Sequence, residues 1–158
     1  MVAGKMEGKL QNPFKEIYFL TDDKKYGNYG LKGKLDECLV QDDGAHTPVD
    51  HKTSSSDPRE KDIFPAYRAQ LDMYALLLEA NRKPTTGIGH LIFFYPDLGE
   101  ELHNGFPMVV HIQTLETDPL RAEERMIGAI KVLESSMPDP SPECPFCEWR
   151  ERVNQEFA

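Results

Sequence analysis

Two short runs in the first third of the chain hold residue types that could act together on a phosphodiester. Leu31-Lys32-Gly33-Lys34-Leu35-Asp36 ends on a carboxylate. Fourteen residues after Asp36, the run Pro48-Val49-Asp50-His51-Lys52-Thr53 brings a second carboxylate, with a lysine two positions beyond it. Residues two apart in a strand share a face, so Asp50 and Lys52 are expected side by side with His51 turned away. If Asp36 sits on the neighbouring strand, two carboxylates and an ammonium converge. Hard oxygen ligands suit Mg²⁺, and a cation beside the developing charge assists attack of water on phosphate. The plainer reading is a solvated strand face, since two acids and a lysine recur by chance. Against it, both acids end otherwise apolar runs.

The elements that must position these residues are readable around them. Lys15–Leu20 reads as a strand and 21–28 as a charged turn. Tyr29–Gln41 reads as one further strand, with Leu31, Leu35 and Leu39 on one face and Lys34, Asp36, Cys38 and Val40 on the other. Asp42-Asp43-Gly44 is a strong turn signal, so Thr47–Lys52 becomes the returning strand of a hairpin. That hairpin is what would carry Asp36 towards Asp50. The polar stretch 53–62 reads as a mobile loop, whose Thr53-Ser54-Ser55-Ser56 could meet substrate phosphate, although most hydroxyl-rich loops do not.

Pro65 fits the first turn of a helix running to Asn81, with Tyr67, Leu71, Tyr74, Leu77 and Leu78 at helical spacing. Gln70 and Tyr74, four apart, share one face of it. By itself this pair reads as a solvated edge residue and a core tyrosine. Gly87–Tyr95 is apolar on both faces and reads as a buried strand. Pro107–Gln113 reads as another, and Pro119–Ser135 as an amphipathic helix ended by Pro138, Pro140, Pro142 and Pro145. The predicted order is β-β-β-α-β-β-α plus a tail: a mixed α/β sheet with a helix on each side.

Bulk properties narrow the field. A chain of 158 residues suits a single domain. No apolar run is long enough for a membrane span, and the first residues lack a signal-peptide core, so a cytoplasmic protein is expected. Three cysteines, Cys38, Cys144 and Cys147, do not make a secreted disulfide framework. The net charge of −9 is uneven: residues 1–70 carry 11 Lys/Arg against 12 Asp/Glu, residues 71–158 carry 7 against 15. A polyanion would therefore approach the first half, and the overall acidity argues against sequence-independent coating of DNA.

Together, Gly33-Lys34-Leu35-Asp36, Val49-Asp50-His51-Lys52-Thr53, Gln70-xxx-Tyr74 and Cys144-Pro145-Phe146-Cys147 resemble the PD-(D/E)xK nuclease superfamily. The resemblance is to its RecB-like branch, which includes the nuclease domain of RecB and the CRISPR-associated RecB-like exonucleases. It covers about residues 29–150. It implies a restriction-endonuclease-like α/β core, a mixed β-sheet flanked by helices, as one domain over 1–158 with 138–158 as a Pro/Cys-containing tail. Asp36, Asp50 and the backbone carbonyl of His51 would bind Mg²⁺ or Mn²⁺. Lys52 would orient or deprotonate the attacking water, Gln70 would orient Lys52 or the phosphate, and Tyr74 would reach a backbone phosphate. The implied product carries a 5′-phosphate and a 3′-hydroxyl.

The chain departs from that pattern twice. RecB-like nucleases usually carry a helix before the first strand that adds a His or Glu ligand, and here only Glu7 or Glu16 is offered upstream. An iron–sulfur cluster needs four thiolates, and the pair Cys144 and Cys147 with a distant Cys38 disfavours one. Zinc at Cys144 and Cys147, completed by His103 or His111, ranks below a reduced pair with Phe146 and Trp149 packing the tail onto the core. His51 and His90 read as structural, and His46 carries no assignment.

Three functional classes follow. The first is a metal-dependent deoxyribonuclease acting on single strands or ends. The second is a catalytically weak or inactive nuclease-fold module that binds nucleic acid within a larger complex. The third is a protein-interaction domain using the acidic second half.

Overall fold

The computed structural model describes residues 9–11, 17–20, 29–97, 105, 107–137, 139 and 141–156, with side chains from residue 29 onward except Glu60 and Glu156. The strands are β1 (Lys9–Gln11), β2 (Ile17–Leu20), β3 (Gly30–Gly33), β4 (Glu37–Val40), β5 (His46–Thr53), β6 (Ile88–Pro96) and β7 (Met108–Glu116). The helices are α1 (Pro65–Ala80), α2 (Pro119–Leu133) and α3 (Pro145–Glu156), with a 3-10 turn at Pro58–Glu60. The main sheet runs β1-β4-β5-β6-β7, and β2 pairs with β3 in a separate two-stranded sheet. The pair β5–β6 is parallel, while β1–β4, β4–β5 and β6–β7 are antiparallel. This is a mixed sheet flanked by helices, the fold class expected.

Local chemistry fixes the elements. The Asp42-Asp43-Gly44 turn closes the β4–β5 hairpin, with Gly44 at φ +85°, where a side chain would be strained. Pro65 opens α1 and Pro119 opens α2. Asp118 caps α2 by accepting from Leu120 N–H and Arg121 N–H, at 3.0 and 3.2 Å. Because β5 and β6 are parallel they need a crossover, and α1 supplies it across one face of the sheet. There Leu71, Leu77 and Leu78 pack with Leu35, Cys38, Leu91, Phe93 and Leu115. Each such fully buried leucine contributes roughly 1.5–3 kcal/mol. The opposite face carries Leu39, Val49 and Ile92, with Phe94 and Ile112 beside them.

Three expectations are corrected. Tyr29–Gln41 is not one strand: the chain breaks at 34–36, and β3 and β4 lie in different sheets. The break shifts the alternation by one, so Leu35 and Cys38 face α1 while Leu39 faces the other way. The second helix is not across the sheet from the first. Instead α2 packs on α1. The tail's aromatics do not pack onto the core: Pro145 begins α3, and Phe146 and Trp149, 66% and 53% exposed, lie against each other with ring centroids 5.9 Å apart. The strand β1 was also unforeseen. Glu7, Glu16 and His103, together with the turn expected at 21–28, lie outside the described residues. Among the described residues no helix is long and apolar enough to cross a membrane.

Candidate active site

Register brings the acids together. Glu37 pairs with Val49, so Asp36, one residue before β4, falls opposite Asp50. The Asp36 carboxylate accepts the His51 N–H at 3.3 Å. Ser54 N–H donates to the Phe94 carbonyl on β6. Backbone groups alternate sides along a strand, so the His51 amide and carbonyl point the other way, to the edge where Asp36 stands. The His51 ring is turned from Asp50 and Lys52, as the alternation predicts. It stacks on Phe94 at 5.7 Å and shares a 3.0 Å contact with Glu37 Oε2.

Asp50 and Lys52 point towards α1, where Gln70 ties them together. Gln70 Nε2 donates to Asp50 Oδ1 at 2.9 Å and to the Tyr74 hydroxyl at 2.8 Å. Lys52 Nζ donates to Gln70 Oε1 at 2.8 Å and lies 2.5 Å from Asp50 Oδ2. The i,i+4 spacing on α1 is what lets Gln70 and Tyr74 meet. Tyr67, one turn before Gln70, also faces the site, with the Lys52 ammonium 4.8 Å from its ring centroid. By helical periodicity alone Tyr67 reads as a core position. Its spacing of three from Gln70 was the available signal. Asp36, Asp50, Lys52, Gln70 and Tyr74 thus gather at one place, where β5 and the start of β4 meet the first half of α1.

Burial sets the electrostatics. Asp50 is 2% exposed, and desolvation pushes its carboxyl above the ordinary carboxylate value. The Lys52 ammonium pulls it back down and the Asp36 carboxylate pushes it further up. Burial likewise raises the Tyr74 hydroxyl, which stays protonated. Asp50 Oδ2 is buried, and the Lys52 ammonium 2.5 Å away is its partner. A buried oxygen so placed, beside a second carboxylate, fits a hard divalent cation of the Mg²⁺ kind, which takes one or two carboxylates and keeps several waters.

The cysteines lie elsewhere. Cys38 is buried in the α1-side core, where desolvation pushes its thiol up to about 11. Cys144 and Cys147 flank the start of α3 with their sulfurs 2.9 Å apart, and Cys147 N–H donates to Cys144 Sγ. The sulfur–sulfur contact, then the Cys147 N–H, lowers the Cys144 thiol, while the same sulfur contact and burial raise the Cys147 thiol. No group of three or more His, Cys, Asp or Glu side chains gathers to hold a metal among the described residues. His111 bonds Gln113 on β7, and His90, deprotonated more readily because it is buried, bonds Thr114.

The sequence matches the family profile of the PD-(D/E)XK nuclease superfamily over residues 4–152, and the chain belongs to that superfamily. No curated protein matches it. Among solved structures, one described as the crystal structure of SSO0001 is similar at 23% identity and a TM-score of 0.49. The match covers 86% of this chain and 57% of that one, so this chain spans little more than half of its length.

Gln70 is the joint of the cluster, which gives a direct expectation. Gln70→Ala removes hydrogen bonds to two charged groups, each worth about 1.5–3 kcal/mol in favourable geometry. Turnover on a nucleic-acid substrate should fall roughly 10- to 100-fold, with a loss of stability of about 3 kcal/mol, the lower end of the sum for two such bonds. Kinetics and thermal unfolding of the same preparation check both numbers. Unchanged turnover would mean that Lys52 is positioned without Gln70.

Proposed function

We propose that this chain is a metal-dependent nuclease of the RecB-like branch, hydrolysing DNA phosphodiester bonds with single strands or ends favoured. It acts as one nuclease-like domain over 1–158, with 138–158 as its tail, in the cytoplasm; the alternative is a catalytically weak or inactive module that binds nucleic acid within a larger complex. The observation that carries the catalytic part is the interlocked set Asp50–Lys52–Gln70 beside Asp36, on a chain of the nuclease superfamily.

Asp36, Asp50 and the His51 carbonyl would hold Mg²⁺ or Mn²⁺. Bound there, the ion would supply positive charge to the phosphate and make a water easier to deprotonate. The protein's own groups do the rest. Lys52 is held at the carboxylate by Asp50 and Gln70, where its ammonium orients the water and offsets charge on the phosphate as it becomes five-coordinate. Gln70 fixes the Lys52 direction, and Tyr74 holds Gln70 while offering its hydroxyl to a backbone phosphate. Such positioning is worth several kcal/mol only if the groups are already in place, and the contacts among Asp50, Lys52 and Gln70 support that reading.

Labelled single- and double-stranded DNA, incubated with the protein in Mn²⁺ or in EDTA, tests the reading. Cleavage confined to Mn²⁺, faster on single strands, with 5′-phosphate ends that a ligase accepts, is expected. Binding without turnover in Mn²⁺ would support the inactive-module alternative instead.

A further inference from the structure

A second feature lies against the catalytic cluster. Behind Tyr67 is a cavity of about 190 Å³, open to solvent, between the end of β5 and the start of α1. Phe64, Tyr67 and Phe93 form its aromatic walls, and Ser54, Lys61 and Asp62 supply polar groups. Tyr67 is common to both places, since the Lys52 ammonium sits over its ring while the residue lines the cavity. Phe64 meets Tyr67 edge to face at 5.6 Å.

The position of Phe64 is costly on structural grounds. It is the N-cap of α1 and makes no side-chain cap hydrogen bond. Ser, Thr, Asp and Asn are preferred there because their side chains satisfy the free amides of the first turn. A large apolar ring that is 61% exposed gives up that stabilisation and buries little. The 3-10 turn before it is fastened in place. Asp57 caps that turn through Arg59 N–H and pairs with the Arg59 side chain, which reaches the Tyr95 hydroxyl at 3.3 Å. Lys61 Nζ donates to Ser56 Oγ at 2.6 Å, so the cation is held by a hydroxyl at the rim. A cap sacrificed for an exposed ring beside a phosphodiester site suits a ligand more than a fold.

We propose that this cavity takes one unstacked nucleobase of a single-stranded nucleic acid whose phosphate lies at Lys52, with Phe64 as the stacking residue. The inference rests on the nuclease reading and adds to it a source of strand preference. Every base offers a π-face, so aromatic platforms accept single strands with little regard for sequence. Donors and acceptors at Lys61, Asp62 and Ser54 match the mixed pattern of base edges. The volume admits one planar ring system, well below a drug-sized pocket. A paired base in a duplex cannot enter without leaving its stack, which disfavours duplex substrates.

The test separates base from phosphate and binding from catalysis. Fluorescence anisotropy in EDTA, at low salt, measures binding of a labelled twelve-residue oligothymidylate, its RNA counterpart, and a strand of abasic residues of equal length. These are titrated with wild type and with Phe64→Ser. Base stacking worth about 1–3 kcal/mol predicts that wild type binds the two base-bearing strands on the order of ten-fold more tightly than the abasic strand. Phe64→Ser should lose that ten-fold preference, bind the abasic strand as wild type does, and unfold at the same temperature or higher. Equal weakening on all strands, no change on any, or no base preference in wild type would overturn the inference. If the base preference is present but wild type fails to cut in Mn²⁺, the nuclease reading fails and the base pocket stands. A difference between the DNA and RNA strands that persists in Phe64→Ser is read as sugar recognition outside the pocket, and a Phe64 effect on only one of the two overturns recognition of the base itself.

Discussion

Asp50→Asn is expected to lower cleavage on the order of 10³-fold while leaving the metal-free fold intact. The reasons lie in the burial and contacts of this carboxylate. Asparagine keeps an oxygen for the Gln70 amide but removes the charge that a hard cation requires. In the metal-free protein the charge is held unfavourably. Desolvation is the largest influence on Asp50, and Asp36 adds to it, while Lys52 only partly offsets both. Deleting the charge therefore relieves a desolvation penalty and loses an attraction to Lys52, two effects of opposite sign. The net change in stability should stay within about 1 kcal/mol. Wild type should gain thermal stability on addition of Mn²⁺, since a ligand that binds only the folded state stabilises it. Asp50→Asn should show no such gain. Thermal unfolding with Mn²⁺ and with EDTA, alongside a cleavage assay, measures all three effects. A variant that still cuts at the wild-type rate would remove Asp50 from the site.

The second large effect concerns stability rather than catalysis. Asp72 on α1 is fully buried, and its carboxylate receives both arms of Arg121 on α2 at 2.7 Å. It also accepts the Asp118 N–H at 2.9 Å, at the cap of the same helix. The pair therefore clamps the start of α2 onto the helix that carries Gln70, Tyr67 and Tyr74. Arg121→Leu strands a buried carboxylate with one amide partner. Breaking such a pair costs roughly 3–5 kcal/mol, and the partial exposure of Arg121 argues for the lower end. In a chain of this length that corresponds to a fall in Tm of about 10 °C. Adding Asp72→Leu should recover most of the loss, because apolar residues of similar volume replace a buried ion pair at little cost. A double-mutant cycle by thermal unfolding reads the coupling. If the two losses simply add, Asp72 and Arg121 are not partners in solution.

The parts of this site that could be read from sequence are those governed by local rules. Asp50, His51 and Lys52 follow strand alternation, and the Asp-Asp-Gly turn fixes the hairpin that brings Asp36 to them. Gln70 and Tyr74 follow helical spacing. The split between β3 and β4 was hidden because Lys34 and Asp36 alternate with Leu35 as strand residues would, so the pattern runs straight through the break. The helix α3 was hidden by its own first residue: Pro145 follows three other prolines and reads as a terminator, although proline is equally at home at the first helical position. The Asp72–Arg121 clamp joins residues 49 apart, and nothing local in either helix announces it. Phe64 was similarly silent, since its meaning depends on the cavity formed by β5, β6 and α1 around it.

The most direct measurement is cleavage of labelled single-stranded DNA in Mn²⁺ by wild type and by Lys52→Met, with EDTA controls. Met fills the space of the lysine stem, and the variant should remain folded by circular dichroism. Cutting by wild type in Mn²⁺, lost in EDTA and lost in Lys52→Met, is the expected result. It would make Lys52 the ammonium of a metal-dependent phosphodiester site. Equal cutting by both proteins would contradict that placement and locate the hydrolytic chemistry away from Asp36, Asp50 and Lys52.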